Sequence, residues 1–126
     1  MTVIEWFLSL SPKLKITSNY GTRISPITGE IEFHRGVDIA GEPEGFPTPT
    51  PSRAWVLTSA FSASYGNYIR YEQAGADYRI LVAHLKERNT GAGVYVLGGF
   101  NLGGMGKTGE VTGTHWHIEV TINGVL

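Results

Sequence analysis

The chain has 126 residues, a formal net charge of −1 and no cysteine. That length suits one domain with a core of its own, and the near-neutral charge with no block of basic residues excludes an electrostatic case for nucleic acid or an anionic membrane. The missing cysteines exclude thiolate metal sites, thiol catalysis and a disulfide framework, but leave the compartment open.

The first ten residues, Met1 to Leu10, hold an apolar patch interrupted by Glu5. It has neither a basic leading segment nor a small-residue cleavage site, so a secretory leader is not expected in this chain. No apolar run approaches the roughly 18 residues of a membrane span. Residues 1–15 therefore read as an extension or linker stub, and 16–126 as a single domain.

No segment beyond this point sustains a 3.6-residue period for three turns. Short alternating runs appear instead: Leu14 to Ser18, Trp55 to Ala60, Tyr68 to Glu72, Tyr78 to Leu85, Val94 to Leu97 and His115 to Ile122. Turn residues such as Asn19-Tyr-Gly21, Thr28-Gly29, Tyr65-Gly-Asn67 and Ala74-Gly75 separate them. Short strands joined by glycine turns predict an all-β antiparallel sandwich or barrel. In Tyr78 to Leu85, the alternation puts Tyr78, Ile80, Val82 and His84 on one face.

Two loops interrupt the strands. Gly41 to Arg53 contains four prolines and cannot be a central strand; it is either a stiff surface connection or a wall of a binding cleft. Gly91 to Gly113 holds nine glycines in 23 residues, which permits tight turns or close approach of a ligand. Within it, Gly104-Met-Gly106-Lys-Thr-Gly109 spells a dinucleotide-binding fingerprint, but a strand and not a helix follows. The phosphate-loop ending Gly106-Lys107-Thr108 lacks its upstream glycine, which is Asn101 here. Both are rejected.

Histidine is scarce, with four in the chain, and two lie in Gly113-Thr-His-Trp-His-Ile-Glu-Val120. On a strand His115, His117 and Glu119 share one face, while Trp116, Ile118 and Val120 share the other. Imidazoles two residues apart stand roughly 6.6 Å apart at the backbone, close enough to serve one metal or one substrate. The others are His34, in Phe33-His-Arg-Gly-Val-Asp-Ile-Ala40, and His84. In an extended segment His34, Gly36 and Asp38 share a face, and the glycine leaves a gap for an ion. Two histidines, a carboxylate and a water make the open tetrahedron of a catalytic zinc. Geometry at this level leaves both His115 and His117 as candidate ligands, and His84 as either a core or a site histidine.

Several motifs in the family's order carry a resemblance to the lysostaphin/LytM-type zinc metallopeptidases. Phe33-His-Arg-Gly-Val-Asp-Ile-Ala40 is similar to their first metal motif, and Val82-Ala-His-Leu85 to the short motif with a catalytic histidine. His115-Trp-His-Ile-Glu-Val120 resembles the closing strand, while Ile16 to Arg23 and Tyr65-Gly-Asn-Tyr-Ile69 resemble the opening strand and a conserved turn. The resemblance implies the β-rich duplicated hybrid motif fold and hydrolysis of peptidoglycan stem peptides or cross-bridges at the cell wall. It implies Zn²⁺ on His34, Asp38 and His117, with His84 and His115 as an unligated catalytic pair. Thr114 and Trp116 stand where the family usually has proline and leucine. The bulk of Trp116 has to be absorbed by the core.

No glutamate is placed to act as base, so proton transfer falls to neutral imidazoles. Glu119 is either a partner that holds a histidine tautomer or a solvated rim carboxylate. Arg35 and Asn67 are candidates for lining the groove; Tyr20 and Arg23 are expected to shape a turn. Competing readings are a non-catalytic wall-binding module and a structural part of a larger polypeptide or virion, such as a phage tail. Asn123-Gly124 signals a hairpin turn with too little chain after it for a returning strand. That pattern suggests a domain cut from a longer protein.

Overall fold

The computed structural model describes residues 2–122 and 125–126. The elements in chain order are α1 (Val3–Leu8), β1 (Lys15–Ser18), β2 (Gly21–Ile24), β3 (Ile31–His34), β4 (Val37–Ala40), β5 (Pro47–Pro49), β6 (Ala54–Ser62), β7 (Gly66–Gln73), β8 (Tyr78–Leu85), β9 (Val94–Val96), β10 (Asn101–Gly104) and β11 (Trp116–Ile122). Seven strands form one antiparallel sheet in the order β1-β4-β11-β8-β7-β6-β9. Two small pairs, β5 with β10 and β2 with β3, complete an all-β architecture of the expected class.

The large sheet has one dry face. Ile39, Trp116, Ile118, Ile80, Val82, Ile69, Tyr71 and Val56 all point there, each at most 1% exposed. α1 and the β5–β10 pair, with Phe46 before it, cover that face. Trp116 sits at the junction: its ring lies 5.2 Å from Phe7 and 5.8 Å from Phe46, and its indole N–H donates to Thr48 Oγ1 at 2.8 Å. The family-atypical tryptophan is thus absorbed by an aromatic cluster and a polar handle in the back layer. The proline-rich stretch supplies Phe46 and the buried Thr48 and Thr50. It is a largely exposed connection that lines neither hollow at the histidines, and its inward side chains Phe46, Thr48 and Thr50 roof the core behind the sheet.

Residues 1–15, expected as a stub, carry α1. Its first turn is closed by a capping box between Thr2 and Glu5, and Phe7 is fully buried. At six residues the helix is too short to show a period in the sequence, so it escaped notice. None of the helices among the described residues is long and apolar enough to cross a membrane. The hairpin signal at Asn123-Gly124 lies outside the described residues; on either side of it Ile122 and Val125 exchange a pair of backbone hydrogen bonds.

Two departures from simple alternation build the site. The segment holding His34 and Asp38 is not one strand. β3 pairs with β2, whereas β4 belongs to the large sheet, and the chain turns between them at Arg35-Gly36. Gly36 does not leave room for an ion: a Cβ there would lie 2.3 Å from the carbonyl oxygen of Ile118. Its bareness lets this corner press against β11.

The second departure is in β8. Between the pairs Ile69↔Val82 and Asn67↔Leu85, β8 contains one residue more than β7, which makes a bulge. His84 occupies it with φ of +64°, so it leaves the Ile80–Val82 face and Leu85 enters the core in its place. The expectation that His84 shares the face of Tyr78, Ile80 and Val82 is therefore wrong, because alternation fails at a bulge.

Replacing Gly36 with alanine would force the β3–β4 corner away from β11. We expect Gly36→Ala to cost about 2–3 kcal/mol, read as a lowered urea midpoint with an unchanged slope.

Candidate functional site

β11 runs between β4 and β8, and its register sets His117 directly opposite Asp38 on one side and Ala83 on the other. His34 arrives from the end of β3. Three ligand-type atoms then converge. His34 Nε2 is 3.1 Å from Asp38 Oδ1 and 3.1 Å from His117 Nδ1, and His117 Nδ1 is 2.9 Å from Asp38 Oδ1. All three residues are buried, and they form a group able to hold a metal ion.

The donor set fits zinc. Two imidazole nitrogens and one carboxylate oxygen are ordinary zinc ligands, and ligands about 2.1 Å from a tetrahedral ion stand roughly 3.4 Å apart, a few tenths of an ångström wider than here. Each outer nitrogen is also occupied. His34 Nδ1 donates to the Asn19 carbonyl at 2.9 Å, and His117 Nε2 donates to Glu119 Oε2 at 2.9 Å. Those bonds hold the rings with their other nitrogen's lone pair toward the cluster.

The remaining histidines follow the same pattern. His84 Nδ1 donates to the Thr108 carbonyl at 2.8 Å and His115 Nδ1 to the Gly113 carbonyl at 2.9 Å. Each is left with Nε2 free of a bond to the backbone. His115 Nε2 lies 3.6 Å from Asp38 Oδ1, and the His84 and His115 ring centroids are 4.8 Å apart. A cleft of about 480 Å³ opens on Asp38, His84, His115 and His117, walled by Ile24 and Ile27 of the β2–β3 hairpin and by Thr112 to Thr114. His115 itself precedes β11 and is held by a single bridge to Gly106.

Electrostatics follow from burial and these bonds. Burial pushes the Asp38 pKa upward, but the hydrogen bond to His117 and the surrounding imidazoles overcome it and bring it to about 2. Burial likewise opposes charge on His117, and Asp38 and Glu119 outweigh it, so its proton affinity is raised in the metal-free chain. Glu119 is lowered despite burial by its bonds to His117 and Tyr65. His84 goes the other way: burial dominates and its pKa falls to about 4.

All five residues of the implied metal and catalytic sets come together. Glu119 is buried on His117, so the reading as a tautomer-holding partner is the one its position fits. Arg35 is exposed at the edge, 3.9 Å from Glu119. Asn67 is not brought in; its side chain bridges the Lys86 carbonyl and Arg88 instead. Arg23 does more than shape a turn, since it donates to Asp38 Oδ2 at 3.1 Å and to Glu32 at 2.9 Å, pinning the carboxylate. Tyr65 was missed altogether. Its hydroxyl donates to Glu119 Oε2 at 2.6 Å, and burial and that bond raise its own pKa to about 12. The two lie 54 positions apart, so only the folded sheet reveals the contact.

An antiparallel sheet presenting two imidazoles and a carboxylate to one point, with two more imidazoles beside them, is an arrangement of the kind that metal-dependent hydrolases use. Residues 32–126 match peptidase family M23, and the chain belongs to that family. It is 35% identical over 112 residues to the peptidoglycan DD-endopeptidase ShyC of Vibrio cholerae, covering 88% of this chain and 25% of that protein. It is 34% identical over 110 residues to the DD-carboxypeptidase/endopeptidase Mpg of Neisseria meningitidis, covering 87% and 25%. The chain thus spans about a quarter of the length of these curated relatives. Among solved structures, the catalytic domain of lysostaphin from Staphylococcus simulans superposes with a TM-score of 0.77 at 28% identity, covering 94% of this chain and 85% of that one. A zinc-containing peptidase from Vibrio cholerae does so at 0.72 and 28%, covering 88% and 34%.

The depressed His84 has a pH signature. Its folded pKa of about 4 lies below the ordinary 6.5, so the unfolded chain binds a proton that the folded chain refuses. Metal-free protein should lose stability as pH falls from 6.5 through 4, and His84→Gln should flatten that slope. Ring-nitrogen NMR should find His84 still neutral at pH 5.

Proposed function

We propose that the chain is a zinc metalloendopeptidase that hydrolyses peptide cross-links of bacterial peptidoglycan, acting at the cell wall. Residues 16–126 form its catalytic domain, against which the first fifteen pack. The observation that carries this reading is the convergence of His34 Nε2, Asp38 Oδ1 and His117 Nδ1, each fixed from behind by a hydrogen bond. The peptidoglycan endopeptidases among its relatives supply the substrate class.

In this reading His34, Asp38 and His117 hold the ion, which would polarise a peptide carbonyl and acidify water. The protein supplies the proton chemistry. His115 Nε2, open to the cleft and beside the cluster, accepts the proton of the attacking water. His84, which burial keeps neutral, accepts a hydrogen bond from the reacting water at Nε2, and the proton taken by His115 passes to the leaving amine. Tyr65 and Glu119 act through His117 by keeping its proton on Nε2.

Zinc content and wall lysis, measured on the same preparations, test the assignment. His117→Ala and Asp38→Ala should lose metal and activity together. His115→Ala should retain zinc while turnover falls about 10²–10⁴-fold. Tyr65→Phe should keep activity but bind zinc up to about 10-fold more weakly. Full lysis by a metal-free preparation would refute the mechanism.

A further inference from the structure

The face of the large sheet that carries His117 and Glu119 continues past the site. Glu119 pairs with Leu81 of β8, Leu81 with Arg70 of β7, and Arg70 with Thr58 of β6. The next row holds Thr121, Arg79 and Glu72. This face lies opposite the core, and on it sits a second cleft of about 370 Å³, lined by Arg35, Tyr65, Tyr68, Arg70, Arg79 and Glu119 among others. Tyr65, Arg35 and Glu119 also line the recess that holds His34, His84 and His117, so the two hollows adjoin.

The charge here is unbalanced. Three guanidinium groups face the cleft, and its lining contains one carboxylate, Glu119, which already accepts from Tyr65 and His117. Arg79 is paired with Glu72 at 2.9 Å, while Arg35 reaches only to within 3.9 Å of Glu119. Arg70 makes no ion pair among the described residues. A guanidinium matches a carboxylate with two parallel donors, and the tyrosine pair, with rings 5.2 Å apart, gives the hollow a firm side wall.

We propose that this cleft is a substrate subsite for a carboxylate, centred on Arg70 and flanked by Arg35 and Arg79. Arg70 stands two strands across and one row, or two residues, along from His117, a backbone separation of roughly 12 Å. In an extended peptide that span is about three to four residues. The inference rests on the reading that the substrate is a peptide held at the His–Asp–His cluster, and it adds a specificity that the cluster cannot supply.

Binding, which needs no turnover, tests it. The probes are a blocked pentapeptide, acetyl-Ala-Ala-Glu-Ala-Ala-amide, and its glutamine analogue, each made with an L- and with a D-configured central residue. They are titrated into zinc-loaded protein and followed by amide NMR shifts. One glutamate form should bind about ten-fold more tightly than its analogue. Arg70→Gln should reduce that preference to less than two-fold, whereas Lys13→Gln, which removes a charge outside the cleft, should leave it intact. Equal binding of both forms, no binding at millimolar peptide, or the same loss in Lys13→Gln would each overturn the proposal. If the preference holds but walls are not hydrolysed, the peptidase reading fails and the subsite stands.

Discussion

The register of β11 between β4 and β8 is the constraint on which the rest depends. It sets His117 against Asp38 while Trp116 and Ile118 enter the core. Because side chains alternate with a period of two, a slip of one residue would put the indole into the cleft and the imidazole into the apolar layer. Burial of Trp116 opposes that slip, so the residue that looks least related to the chemistry fixes the geometry of the chemistry. The close approach of Gly36 to Ile118 and the Thr48 hydrogen bond to Trp116 hold the same register at the start of β11.

Around that strand the protein treats its four histidines alike. Each gives one N–H to an oxygen of the fold and turns its other nitrogen toward the cluster or the cleft beside it. For His34, His84 and His115 the acceptor is a backbone carbonyl, which does not titrate; for His117 it is Glu119, braced by Tyr65. A carboxylate on that imidazole raises its basicity where a metal ligand gains from it. The site is therefore ordered before any ion arrives, at the expense of burying two carboxylates that must stay charged.

Much of this was legible in the residues. The His-x-His-x-Glu alternation predicted the polar and apolar faces of β11, and the glycine-punctuated runs predicted the all-β class. Three of the motifs, read in order, brought His34, Asp38, His84, His115 and His117 to one site. What was not legible depends on broken periodicity or distant contacts. His84 appeared to share a face with Ile80 and Val82 because a bulge has no signature in a run of apolar residues. Gly36 appeared to make room for an ion because the strand that crowds it lies more than eighty residues on. Arg23, Tyr65 and the roof formed by the proline segment belong to the same class of long-range contact.

The sequence by itself determined which side chains could do the chemistry and, for His115, His117 and Glu119, which face they occupy, since residue type and unbroken alternation are enough for that. Only the tertiary structure decided how they meet. The positive φ at His84, the corner at Arg35-Gly36 and the hydrogen bonds behind each imidazole arise where separate strands press on one another. Those pressures depend on chain segments remote in sequence, and no local pattern encodes them.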